Sequence, residues 1–513
     1  MKKQAKEEAY LHILKYTGLF GGVQGLSVLV GIVRNKLIAM ILGPDGMGLI
    51  SLFNSSIKLV SDSTNFGISM SAVKSLSEAF ETADEARVRS VIRTIRSWSL
   101  LTALLGVVVC VALSPLLNTW TFAWGDHTLH FVLLAPVVGL MALTGGEAAI
   151  LKAARKLNQL AAISVYNLFF ALVATIPLYY YYGQAGIVPS LVLVALGQCL
   201  TTVAYSFRLY RPVVSLRGCR AGEGRGLISL GMAFVVAGVL GSGAEFAVRS
   251  YMNYTGEIVN VGLYNAGYMM TMVYAGMVFS AMETDYFPRL SAIPSFGARL
   301  NQTVNHQMEV SLLLVSPLLV LFMVALPILL PLFYSGKFMP VMGMVRVTAL
   351  AMYFRALTLP VEYIALSRSD SNSYLFLEAV YDVCFVLLVI LGFRYFGLTG
   401  TGVGLVVAGA INFVVVMLYA RWKYHYHMSA EIRLYMLTLL PLGGATYMSA
   451  TLLHGVGYWV VGLLLALVSF GISLHILRSK SRLWESLWGK VRARWHRKTD
   501  AQTLTDNAHD KDK

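Results

Sequence analysis

Residues 30–50 read VGIVRNKLIAMILGPDGMGLI. One apolar run of helical length meets Gly-Pro-Asp-Gly and a second apolar run starts at once, the pattern of two spans reversing at a tight turn. Within the first run stand Arg34, Asn35 and Lys36. A cation at the centre of a membrane span costs about 2.5–3.5 kcal/mol, so such a residue faces a partner or a wet cavity.

The rest of the chain extends that pattern. Of 513 residues, 57% are hydrophobic and 13% charged, which places the chain among polytopic membrane proteins. Apolar segments lie at about residues 14–42, 47–77, 97–117, 128–151, 159–182, 186–207, 226–252, 260–287, 307–334, 340–366, 374–396, 399–420, 434–454 and 457–477. The expected fold is therefore all-α, with about fourteen transmembrane helices. Lys and Arg gather in alternate connections, such as Arg87, Arg89 and Arg93, or Lys152, Arg155 and Lys156, while WGDHTLH and NYTGEIVN have none. By the positive-inside rule both termini are expected to be cytoplasmic. The net charge of +15 then belongs to the inner membrane surface and calls for no nucleic acid.

A shift of 214 residues lays GLISLFN at Gly48 over GLYNAGY at Gly262, Leu76-Ser77 over Leu290-Ser291, and Gly183 and Gly186 over Gly397 and Gly400. Six spans separate equivalent points, so the copies share one orientation, and two six-helix lobes related by a pseudo-twofold along the membrane normal are expected. The expected organisation is an N-lobe at 1–215, a C-lobe at 216–428, two extra helices at 429–478, and a cytoplasmic amphipathic helix with a disordered tail at 479–513. Close helix approach is expected at Gly18, Gly21, Gly22 and Gly25.

Other charges fall inside spans: Lys58 and Asp62, Glu245 and Arg249, Glu283 and Asp285, Arg346 and Arg355, Glu378 and Asp382. The 214-residue shift lays Asn35 on Arg249, so the first helix of each lobe brings cationic character to the same depth. Lys58 with Asp62 and Glu245 with Arg249 are spaced to pair within their own helices. Glu378 and Asp382 read as a structural network, and Arg346 and Glu362 as interfacial residues near span ends. The four cysteines show no CxxC or zinc-ligand spacing, and no metal or other cofactor is expected. No Walker A, HExxH or GxSxG motif occurs, and no long exterior loop could house a polymerase or glycosyltransferase site, so the chain does not read as an enzyme.

Residues 34–79, RNKLIAMILGPDGMGLISLFNSSIKLVSDSTNFGISMSAVKSLSEA, carry a family resemblance. The helix-one cation, the Gly-Pro-x-Gly turn and the amphiphilic second helix resemble Wzx-type O-antigen and polysaccharide flippases of the multidrug/oligosaccharidyl-lipid/polysaccharide exporter superfamily. That resemblance implies a bacterial inner-membrane carrier that flips undecaprenyl-diphosphate-linked oligosaccharide by alternating access through a cationic central cavity. It implies Arg34, Asn35, Lys36, Lys58 and Arg249 as headgroup contacts, with Asp62, Glu245, Glu283 and Asp285 as candidates for H+ or Na+ coupling. Membrane lipid and the polysaccharide assembly machinery would be its partners. The alternatives are a multidrug cation antiporter of the same superfamily, a peptidoglycan-precursor flippase, or a membrane polymerase or ligase. An antiporter cavity would be led by acids and aromatics, whereas cations lead in the first two spans here.

Overall fold

The computed structural model describes residues 2–81, 84–123, 125–211, 221–293, 295–368 and 370–480. Side chains are described within these from residue 25 on, apart from 70, 81, 157, 221–234, 274, 280–285 and 480. Among the described residues, fourteen α-helices run in order: α1 Lys2–Thr64, α2 Ile68–Glu81, α3 Glu85–Thr121, α4 Thr128–Ala153, α5 Leu157–Tyr182, α6 Ile187–Leu209, α7 Ala221–Thr255, α8 Ile258–Tyr268, α9 Met277–Ser291, α10 Ala298–Phe333, α11 Met342–Ser367, α12 Ser371–Tyr424, α13 Ala430–Leu452 and α14 Gly455–Lys480. Among the described residues there is no strand. The expected amphipathic helix and tail beyond residue 480 lie outside the described residues.

Among the described residues, eight helical stretches are long and apolar enough to cross a membrane, and three of these, 40, 52 and 54 residues long, are long enough to cross it twice. Each of the three doubles back at a glycine with positive φ: Gly43 at 66°, Gly183 at 56° and Gly397 at 60°. An L side chain is strained there, so glycine is what lets two spans join without a loop. α7, the α8–α9 pair and α13 complete the expected set of fourteen, though none of them meets that length and that apolarity together.

Two stretches differ from the sequence reading. The second span, expected to run unbroken to residue 77, breaks after Thr64, where Asn65 Oδ1 accepts from Gly67 N at 2.7 Å and Phe66 and Gly67 take positive φ. The basic segment Arg87–Arg93, expected as a connection, is helical, because Asp84 Oδ1 caps α3 by accepting from Ala86 N and Arg87 N.

The internal repeat is visible in the backbone. A Cβ on Gly48 would lie 2.4 Å from the Ile258 carbonyl oxygen, and one on Gly262 would lie 1.9 Å from that of Pro44. Since 44 and 258 are themselves 214 apart, these two contacts are one contact seen from both sides, as a twofold relation requires. Similarly Gly186 closes on the Leu178 carbonyl and Gly400 on that of Gly392. Gly262→Ala should therefore cost about 1–3 kcal/mol, since backbone must move to admit the methyl group. Gly444→Ala, where a Cβ would meet nothing within 4 Å, is the matched control and should leave the thermal midpoint in detergent unchanged. Among the described residues, a Cβ on Gly25 would also meet nothing within 4 Å; Gly18, Gly21 and Gly22 lie outside the described side chains.

The core beneath this framework is apolar, with Ile68, Leu76, Ile92, Ile95 and Ile150 packing α2, α3 and α4 together. Beside it a charged cluster is buried. Arg96 Nε donates to Glu147 Oε1 at 2.8 Å, its NH1 donates to the Arg211 carbonyl at 2.8 Å, and its guanidinium lies 4.6 Å from the Phe207 ring centre. The arginine thus ties α3 to α4 and to the end of α6. At the other end of the chain order, Asp370 caps α12 and accepts from Lys423 Nζ at 2.7 Å and from Tyr424 at 2.9 Å. Burial would raise that carboxyl, but the hydrogen bonds from Lys423, Ser373 and Tyr424 prevail and hold it at about 2.

The outward faces are greasy, with Leu104, Val173, Leu437 and Val456 all largely exposed, as lipid-facing positions are. Tyr180, Tyr181 and Tyr182 end α5, and Tyr395 and Phe396 stand 214 residues further on; all five rings are exposed, in the manner of an interfacial aromatic belt. The chain forms two compact units, Met1–Pro294 with Ala325–Tyr426, and Ser295–Val324 with His427–Lys513. In the second, Ser316 Oγ meets Ser469 Oγ at 3.1 Å and Tyr458 donates to the Val324 carbonyl at 2.7 Å, joining part of α10 to α14.

Candidate functional site

Past the turn at Gly43, helical spacing puts Met47, Ile50, Ser51, Asn54, Ser55 and Lys58 on one face of α1. Before the turn, Arg34, Asn35 and Ile38 sit on the facing arm. α7 adds Glu245 and Arg249, and α8 adds Asn265. Together these residues, with Met269, line a cavity of about 280 Å³. Three cations face a single carboxylate there.

Each charge is held differently. Arg249 is almost wholly buried: its Nε donates to Ser51 Oγ at 2.9 Å, its NH1 to Glu245 Oε2 at 3.1 Å, and its guanidinium lies 5.7 Å from the Tyr268 ring centre. Lys58, half exposed, reaches the other oxygen, Glu245 Oε1, at 3.6 Å. Arg34 lies beside Tyr179, and its Nε is buried with no hydrogen-bond partner among the described residues. An unmet donor on a cation beside a cavity is a place for an acceptor atom to bind.

Four of the five residues expected to contact a headgroup, Arg34, Asn35, Lys58 and Arg249, thus come together around one hollow. Lys36 does not join them. Two residues along a helix turn the side chain by about 200°, and Lys36 Nζ donates instead to the Pro331 carbonyl. Of the acids, Glu245 lines the cavity and pairs with Arg249 in its own helix as the spacing suggests. Asp62 does not take up Lys58. It lies against α7, 3.8 Å from where a Cβ on Gly238 would stand, while the Ser242 hydroxyl there donates to the Gly238 carbonyl at 2.7 Å. The side chains of Glu283 and Asp285 lie outside the described residues.

Ser51, Asn54, Ser55 and Asn265, neutral residues that no charge marks in the sequence, give the cavity its hydrogen-bonding wall. The repeat could have flagged two of them, because Ser51 and Asn265 are 214 apart. A second cavity of about 250 Å³ is lined by Arg355 and Glu362 of α11 and by Tyr374, Glu378, Tyr381 and Asn412 of α12. Glu362, expected at the interface, is internal here and accepts from Asn412 Nδ2 at 2.9 Å. Between the two cavities runs a π-helical stretch, Met269–Ala275, with Met269 on one wall and Met272 on the other. Such local widenings of a helix are frequent at functional sites.

The fold and this cavity define a multi-pass helical membrane protein built around a cationic hollow. Among solved structures, an inward-facing multidrug resistance MATE family transporter of the MOP superfamily matches with a TM-score of 0.65 at 15% identity, over 78% of this chain and 94% of its own. The lipid II flippase MurJ, in an inward closed conformation, matches with a TM-score of 0.64 at 14% identity, over 91% of this chain and 99% of its own. No curated protein matches by sequence. The family model for polysaccharide biosynthesis proteins matches residues 37–343, more than half of the chain, and the chain belongs to that family.

Proposed function

We propose that this protein flips undecaprenyl-diphosphate-linked oligosaccharide units from the cytoplasmic to the outer leaflet of a bacterial inner membrane. The observation that carries the reading is the single hollow faced by Arg34, Lys58 and Arg249, with Arg34 holding an unmet donor. A lipid diphosphate must bring its charge and sugars past hydrocarbon while its polyprenyl tail stays in lipid. Fixed cations in a wet cavity supply the counter-charge, through charge-assisted hydrogen bonds to phosphate oxygens. The neutral wall of Asn35, Ser51, Asn54, Ser55 and Asn265 suits sugar hydroxyls. Membership of the polysaccharide biosynthesis family supports a glycan cargo.

The two lobes, 1–215 and 216–428, would rock about this site to open it to either side in turn. In the present arrangement Asn253 Nδ2 donates to the Thr121 carbonyl at 2.7 Å and Gly48 rests on Gly262, contacts that join the two repeats. Coupling to H+ or Na+ through Asp62, Glu245, Glu283 and Asp285 is part of the same reading, as are cytoplasmic termini and contact with the polysaccharide assembly machinery.

A peptidoglycan-precursor flippase is the second reading, favoured by the near end-to-end match to the lipid II flippase structure. Deleting the gene and identifying the lipid that accumulates inside separates the two. An undecaprenyl-diphosphate-linked polysaccharide repeat unit supports the first reading. A stranded peptidoglycan precursor supports the second.

A further inference from the structure

Glu245 occupies the place of an anion. Its carboxylate lies between Lys58 Nζ at 3.6 Å and Arg249 NH1 at 3.1 Å, one oxygen to each, in a cavity whose other charged wall residue is Arg34. Lys58 belongs to the first copy of the repeat, and Glu245 and Arg249 belong to the second. The carboxylate therefore neutralises two cations and also ties the copies together.

We propose that Glu245 is an exchangeable internal counter-ion: the incoming lipid diphosphate displaces its carboxylate from Lys58 and Arg249, and the carboxylate returns to expel the headgroup after the flip. This rests on the proposed lipid-diphosphate substrate.

Three features of the geometry support the exchange. A diphosphate carries an anionic oxygen for each cation, where one carboxylate is shared between two, so the substrate can outcompete it. Arg249 does not depend on the carboxylate for its position, since Ser51 Oγ at 2.9 Å, the Glu245 backbone carbonyl at 3.2 Å and the Tyr268 ring keep it in place. Lys58 is half exposed, and Glu245 about a quarter, so both side chains have room to swing apart. A site of three uncompensated cations would bind a diphosphate and hold it. An internal competitor keeps occupancy reversible, as transport requires.

The test compares binding with transport in the full-length protein. Undecaprenyl diphosphate, free of sugar, is titrated against purified wild type, Glu245→Gln, Glu245→Asp and Arg34→Ala, with surface polysaccharide measured in cells carrying each. Glu245→Gln keeps the size of the side chain but loses its charge, so it should bind about tenfold more tightly while exporting less. Glu245→Asp, one methylene shorter and unable to span both cations, should fall between and serves if the glutamine variant folds poorly. Arg34→Ala should bind more weakly. Equal or weaker binding by both Glu245 variants, with Arg34→Ala weakened, overturns the exchange and leaves the substrate reading standing. Failure of the wild type to bind undecaprenyl diphosphate overturns both.

Discussion

Arg34→Ala should leave the protein folded and inserted but stop export, with lipid-linked repeat units accumulating on the cytoplasmic side if the proposed function holds. Arg34 is the cation with the least protein compensation: its Nε has no partner among the described residues. Removing it would take away the proposed charge-assisted contact to phosphate at little cost to the fold. Loss of such a contact in a desolvated site is worth about 2–4 kcal/mol, roughly thirtyfold or more in affinity. Lys58→Ala should act in the same direction, because its Glu245 partner is still satisfied by Arg249. The measurements are surface polysaccharide and the stranded lipid, with membrane abundance as the control. Normal surface polysaccharide from a well-expressed Arg34→Ala, Lys58→Ala double variant would remove the site from the account.

Glu147→Ala should fail in the opposite way, by losing stability. The Arg96 and Glu147 side chains are 2% and 9% exposed, and Ser206 Oγ donates to Glu147 Oε2 at 2.5 Å. Removing the carboxylate leaves a guanidinium buried without its counter-ion, a defect worth about 3–5 kcal/mol. Abundance and thermal midpoint in detergent should both fall. An Arg96→Met, Glu147→Leu double replacement removes both charges at similar volume and should recover most of the loss. If Glu147→Ala were as stable as wild type, the cluster would not be holding α3, α4 and α6 together.

The contrast between these two arginines shows what the sequence could disclose. Arg34, Asn35, Lys58 and Arg249 were legible because each interrupts an apolar run, where a polar side chain has few places to go. The three reversals were legible in part, as glycines between apolar runs, and the 214-residue repeat predicted the match of Gly183 with Gly397 that the backbone angles show. What could not be read is which neighbours meet across helices. Lys58 has Asp62 four residues away, yet its partner is Glu245 on α7, a choice set by how α1 packs against α7. Lys36 was misplaced beside Arg34 because helical phase, not sequence proximity, decides which wall a side chain joins. Glu147 sits in an expected span and could have been flagged by the rule that found Arg34. Its partner Arg96, at the edge of the preceding apolar run, gives no such signal. Glu362 looked interfacial from its distance to a span end, and only the packing of α11 on α12 turns it inward to Asn412.

The proposed transport depends on a fixed cationic hollow passing an anionic lipid headgroup from one leaflet to the other. Proteoliposomes holding the purified protein and an undecaprenyl-diphosphate-linked oligosaccharide test it, with arrival of the glycan at the outer surface followed by a membrane-impermeant glycosidase. The account predicts time-dependent exposure of the glycan with wild type and none above protein-free vesicles with the Arg34→Ala, Lys58→Ala double variant. Equal exposure with both proteins would contradict it.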